Sequence, residues 1–102
     1  MSDFRELLVR NDGGYFKRLQ CIDGIEMSVQ GNTYAYSTPR VFSVDPYLYE
    51  DFEVAFIKDG NFIDPFENKD IADFEHDDVL GYIPVAEVQN MYDLLKIEAL
   101  QE

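Results

Sequence analysis

Charge in this chain is segregated, and the segregation limits how the chain can fold. Residues 45–78 carry twelve acids against Lys58 and Lys69, a net of −10. Residues 1–44 are neutral, with five acids and five bases, and residues 79–102 have a net of −3. Like charge at that density repels itself in a compact state, and ionised carboxylates are rarely buried without partners. A core must therefore come from the apolar positions of the two flanks and those punctuating the acidic stretch, with the acids left on the surface. An apolar content of 46% and an aromatic content of 15% belong to a globular chain, not a disordered acidic tail. At 102 residues the chain is expected to form one domain spanning 1–102.

Periodicity places the elements. Residues 4–9 read as a short helix, with Ser2 or Asp3 as N-cap and Glu6 closing a box with Asp3, or equally as a strand. Asn11-Asp12-Gly13-Gly14 is a turn signal, and residues 15–22 read as a strand ended by Asp23-Gly24. Ile25, Met27 and Val29 alternate with Glu26, Ser28 and Gln30, the period-two pattern of a half-buried strand. Gly31-Asn32 suits a tight hairpin, with residues 33–38 as the return strand and Pro39 ending it. Phe52, Val54 and Phe56 mark another strand, turned by Asp59-Gly60. Residues 61–78 read as a long acidic loop pinned by Phe62, Ile63, Phe66, Ile71 and Phe74, and residues 79–83 as a short strand containing Gly81. Pro84 opens a helix in which Val85, Val88, Met91, Tyr92 and Leu95 form one apolar stripe. The expected fold is α+β: a small antiparallel sheet of about four to five strands, with a C-terminal amphipathic helix packed on one face. Leu94, Ile97 and Leu100 widen the helical stripe, so the protein is expected to be a monomer or a homodimer through this helix.

Composition also excludes functions. Cys21 is the only cysteine; it makes no intrachain disulfide, reads as a small buried hydrophobe, and fits a reducing cytoplasm. Met-Ser-Asp-Phe-Arg lacks the apolar run of a signal peptide, and no apolar run approaches the roughly 20 residues that span a bilayer. The acidity disfavours both anionic lipid surfaces and direct nucleic-acid binding, which use basic patches. His76-Asp77-Asp78 contains the only histidine, too few imidazoles for a metal phosphohydrolase. Asp59-Gly60-Asn61 and Asp64 lack the alternating ligands and final Glu of a calcium loop. Ser37 and Ser43 carry no mark of a nucleophile, and no glycine loop suits phosphate. No catalytic residue, metal site or cofactor is expected, and the chain is not read as an enzyme.

What remains is the acidic stretch itself. Alternate residues of a strand stand about 6.6–6.8 Å apart, so Asp51 and Glu53 would project as a row beginning near Glu50. Asp64, Glu67, Asp70, Asp73, Glu75, Asp77 and Asp78 would extend that negative field, and Tyr47, Tyr49, Phe66 and Phe74 would supply interface anchors. Duplex DNA carries one charge per roughly 1.7 Å of axis. A rigid display of carboxylates can therefore occupy the groove of a basic protein, such as a nuclease or a nucleic-acid-binding effector complex.

Two segments strengthen that reading. Tyr34-Ala35-Tyr36-Ser37-Thr38-Pro39-Arg40 and Gly81-Tyr82-Ile83-Pro84-Val85, with the strand at 52–56 between them, form a frame over roughly residues 25–95. This frame resembles that of small acidic proteins of bacteriophages and prophages. Those proteins tend to end the helix with His-Gly, whereas Leu95-Lys96-Ile97 continues here, and residues 1–24 are an added element. The resemblance implies an inhibitor in a host bacterial cytoplasm that blocks a defence protein, as anti-CRISPR and anti-restriction proteins do. An immunity protein against a nuclease toxin, or a non-inhibitory phage assembly or housekeeping component, is the alternative.

Overall fold

A computed structural model of the chain describes residues 3–63 and 79–96. Five strands form one antiparallel sheet: β1 (Leu19–Gln20), β2 (Ile25–Gln30), β3 (Asp51–Lys58), β4 (Asn61–Phe62) and β5 (Leu80–Pro84). The one α-helix among the described residues, α1 (Val85–Leu95), follows β5 directly. The fold is α+β, as the periodicity predicts.

β3 is the longest strand and the centre of the sheet, and its stretch from Val54 to Ile57 is buried on both faces. One edge pairs with β2, Met27 opposite Phe56 and Val29 opposite Val54. The other edge is shared: Ile57 and Lys58 pair with β4, while Asp51, Phe52 and Val54 pair with β5. One face thus gathers Met27, Val29, Phe52, Val54 and Phe56, all fully buried. α1 covers this face with Val88, Met91 and Leu95, at the three- and four-residue spacing of one helical stripe. The N-terminal segment completes the core with Phe4, Leu8 and Phe16. Phe4 meets Phe52 edge to face at 5.6 Å, and its N–H donates to Gln89 Oε1 on α1 at 2.9 Å.

Several expectations are corrected. The hairpin at Gly31-Asn32 does not form, and residues 33–38 are not a strand. Tight two-residue hairpins need positive φ at their centre, and neither Gly31 nor Asn32 has it. Gly31 is instead where the chain passes under the Tyr49 ring. A Cβ there would lie 2.9 Å from Cδ1 and Cε1 of that ring. Asn32 then turns the chain with its side chain, Oδ1 accepting from the N–H groups of Tyr34 and Ala35 at 2.7 and 2.8 Å. The tight hairpin lies at Asp59-Gly60, with φ of 53° and 81°, so residues 61 and 62 return as β4 where a loop is expected. The strand expected over 15–22 is confined to Leu19–Gln20. Residues 4–9 are neither α-helix nor strand: Phe4–Leu7 is a 3-10 turn capped by Asp3, whose carboxylate accepts from Arg5 N–H. Arg5 replaces Glu6 in that cap, pairing with Asp3 at 2.7 Å and holding its carboxyl below the usual carboxylate range.

Cys21 is buried, and desolvation pushes its thiol from 9.0 up to about 11. The folded protein holds the thiol proton more tightly than the unfolded chain does. That contribution to stability is present below pH 9 and is lost as pH rises through about 11. At pH 8 we expect alkylation by iodoacetamide on the order of a hundredfold slower than for a free cysteine, because the thiolate is the reacting species. Urea should restore the normal rate. Fast alkylation of the folded protein would contradict this burial.

Candidate functional site

Residues 45–63 of the acidic stretch are described, and three of the acids singled out above, Glu50, Asp51 and Glu53, lie at the beginning of β3. Its backbone is held from three directions. Glu50 N–H donates to Thr38 O at 2.8 Å, its carbonyl accepts from Val85 N–H at 3.3 Å, and Asp51 sits opposite Pro84. Thr38 also forms an isolated bridge to Asp51. This is where β3, the loop after β2 and the start of α1 meet, so the carboxylates of Glu50, Asp51 and Glu53 rise from rigid backbone. Glu50 is exposed, and Asp51 and Glu53 are half-buried. The row is two strand positions long, because Ala55 and Ile57, next on the same face, are buried.

None of the three acids is paired with a base among the described residues. Arg5 is committed to Asp3, Arg18 to Glu26 and Lys96 to Asp93, while Lys17 and Lys58 pair with no acid among the described residues. Arg40 lies over the Tyr36 ring and donates to Tyr34 O at 3.3 Å. Gln30, opposite Glu53, spends its amide on the backbone N–H and carbonyl of Phe16, both at 2.8 Å. Asp51 Oδ1 is buried without a hydrogen-bond donor. An unpaired, partly desolvated carboxylate gains more from an incoming cation than a solvated one does.

Of the expected anchors, Tyr47 is half exposed, with the Arg5 guanidinium 4.5 Å above its ring. Tyr49 is corrected. It is 2% exposed and belongs to the core, its hydroxyl donating to Val41 O at 2.5 Å. Tyr49 lies before β3, at the end of the turn at Pro46–Leu48 and so outside the strand's alternation, and its ring packs against Phe52 and Phe16 with centroids 5.5 and 6.5 Å away. Asp64, Glu67, Asp70, Asp73, Glu75, Asp77, Asp78 and Phe74, together with Phe66, Ile71 and His76, lie outside the described residues. Leu94 is exposed on α1, while Ile97 and Leu100 also lie outside. Ser37 and Ser43 serve loop geometry. Ser37 Oγ donates to Pro39 O at 3.2 Å, and Ser43 Oγ accepts from Asp45 N–H at 3.0 Å.

Sequence reading missed Arg10. Its guanidinium donates to Gly14 O at 2.9 Å, Gly31 O at 2.8 Å, Tyr49 Oη at 3.0 Å, and Ser43 O. It lies over the rings of Phe16 and Phe42, 3.8 and 4.4 Å from their centroids. One half-buried cation thus joins three loops without a carboxylate partner among the described residues. No spacing in the sequence signals this, because the partners are backbone carbonyls.

No described helix is long and apolar enough to cross a membrane. Compared with protein-family models, curated proteins and solved structures, the chain matches none.

Proposed function

We propose that this protein is a stoichiometric inhibitor that binds a basic nucleic-acid-binding protein, a nuclease or effector complex of bacterial defence, and competes with its nucleic acid. The observation that carries the reading is the group of carboxylates of Glu50, Asp51 and Glu53, which pair with no base among the described residues and stand on backbone held at the start of β3, while Arg5, Arg18, Arg40 and Lys96 are engaged elsewhere. In sequence this group leads into seven further acids between residues 64 and 78. Carboxylates take the places of phosphates, and exposed aromatic residues add affinity. The phage-type frame at 34–40 and 81–85 supports a host-defence target in a bacterial cytoplasm.

The test is capture from bacterial lysate at low and moderate salt, followed by displacement with duplex DNA. The wild type should retain a nucleic-acid-binding protein that DNA releases. Retention should fall steeply between about 0.05 and 0.2 M salt, as the screening length shortens toward about 8 Å. The triple amide variant Glu50→Gln, Asp51→Asn, Glu53→Gln should lose roughly tenfold or more in retention, since charge pairs of this kind contribute over 1.4 kcal/mol. Equal retention by wild type and variant, unaffected by DNA, would sink the reading.

A further inference from the structure

The segments at 34–40 and 81–85, far apart in the chain, meet at a pair of tyrosines. Tyr82 N–H donates to Tyr36 O at 2.9 Å, and the two rings lie 5.9 Å apart between centroids, tilted by 35°. Gly81 permits the approach, since a Cβ there would stand 2.9 Å from Tyr36 Cβ. Tyr36 and Tyr82 are 47% and 48% exposed, so the pair is a surface platform and not core.

A bulge in β5 sets this platform beside the acids. Phe52 pairs with Ile83 and Val54 with Leu80, so Gly81 and Tyr82 together stand across from the single residue Glu53. Phe52 and Val54 belong to the core under α1, which turns Glu53 to the opposite face of the sheet. Asp51, two positions back on that face, is bridged to Thr38, two residues beyond Tyr36. Neither carboxylate is paired with a base among the described residues. Two half-exposed rings and two unpaired carboxylates thus rise from adjoining backbone.

Elsewhere in the chain, rings of this kind hold arginine. The Arg40 guanidinium already lies over Tyr36, 5.4 Å from its centroid, while donating to Tyr34 O. Arg5 covers Tyr47, and Arg10 covers Phe16 and Phe42. Among the described residues no lysine covers a ring, and no cation covers Tyr82. A guanidinium can lay its flat face on a ring and turn its fork of donors to a carboxylate at the same time. An ammonium is a point charge on a flexible stem and has no such face. We infer that Tyr82, beside Tyr36 and Glu53, receives an arginine side chain of the partner protein, its face on the Tyr82 ring and its N–H groups on the Glu53 carboxylate. The inference rests on the reading that these acids meet a basic protein, and adds that arginine and not lysine is recognised there.

The test is a titration of the ¹⁵N-labelled 102-residue chain with hexa-arginine, hexa-lysine and hexaproline amides at about 0.15 M salt. Hexa-arginine should shift the backbone amides of Glu53, Gly81 and Tyr82 and bind roughly tenfold more tightly than hexa-lysine. Hexaproline should leave these amides unmoved. Tyr82→Gly should reduce the arginine preference to about twofold or less. Glycine suits a φ of 55°, so this variant removes the ring without straining the backbone, and its circular dichroism spectrum should be unchanged. Glu53→Gln should weaken hexa-arginine more than hexa-lysine. Equal binding of the two cationic peptides, an arginine preference that survives either substitution, or equal shifts with hexaproline would each overturn the inference. Concentration-dependent shifts of the same amides without peptide would assign the platform to a second copy of the chain and overturn it likewise. Equal binding of the cationic peptides with DNA-sensitive capture retained removes this inference alone. An arginine preference without DNA-sensitive capture removes competition with nucleic acid alone.

Discussion

Arg10→Ala is expected to cost about 3–4 kcal/mol of folding stability, and Arg10→Lys about 2–3 kcal/mol. The reason is the geometry of the fork. Carbonyls of Gly14, Gly31 and Ser43 and the Tyr49 hydroxyl all accept from one guanidinium, whose faces also cover Phe16 and Phe42. Holding a cation half-buried without a carboxylate costs desolvation. Removing it leaves several oxygens without their donor and two rings without their cover. These losses outweigh the desolvation recovered, because each orphaned buried acceptor costs about 1–3 kcal/mol. Lysine keeps the charge, but its single nitrogen cannot span three loops. For a domain of this size the alanine variant should melt on the order of 12–25 °C lower. Melting of both variants within about 2 °C of wild type, under a quarter of that shift, would show that Arg10 is not the hub described here.

Gly31→Ala should cost about 2–3 kcal/mol, by overpacking and not by backbone strain. The new Cβ would lie 2.9 Å from two atoms of the Tyr49 ring, and that ring has little room to yield. Its hydroxyl is tied to Val41 O and Arg10. Its faces and edges meet Phe16 at 6.5 Å and Phe52 at 5.5 Å between centroids. Gly24 is the comparison: a Cβ there meets nothing within 4 Å, but φ is +76°, so Gly24→Ala should cost only about 1 kcal/mol. Chemical denaturation of the two variants separates clash from strain. Combining Gly31→Ala with Tyr49→Leu should recover part of the loss, since residues in contact are not additive. Full additivity would mean that the ring is not what Gly31 accommodates.

Legibility in the sequence followed the range of the interactions involved. β2, β3 and α1 were readable because burial on one face writes a period of two or of 3.6 into the chain. Asp59-Gly60 was readable because both residues tolerate positive φ. Gly31-Asn32 carried the same kind of local signal and misled, because the ring of Tyr49, eighteen positions on, takes the space beside Gly31. Tyr49 misled in turn. A tyrosine next to Glu50 and Asp51 looks like surface, yet its ring is core and its hydroxyl finds two partners at once. Of the acidic residues singled out, only Glu50, Asp51 and Glu53 fall among the described residues, and the alternation around Phe52 and Val54 was enough to place Asp51 and Glu53 on one face.

The sequence by itself determined the fold class, the two main strands, the helix and the segregation of charge, because each is set by residues that are neighbours in the chain. Tertiary structure decided which strands pair, which of the described acids remain without a described base, and how Arg10 joins three loops. Those outcomes depend on backbone carbonyls and ring faces, which every residue or every aromatic offers, and which become specific only when distant segments are brought within hydrogen-bond reach.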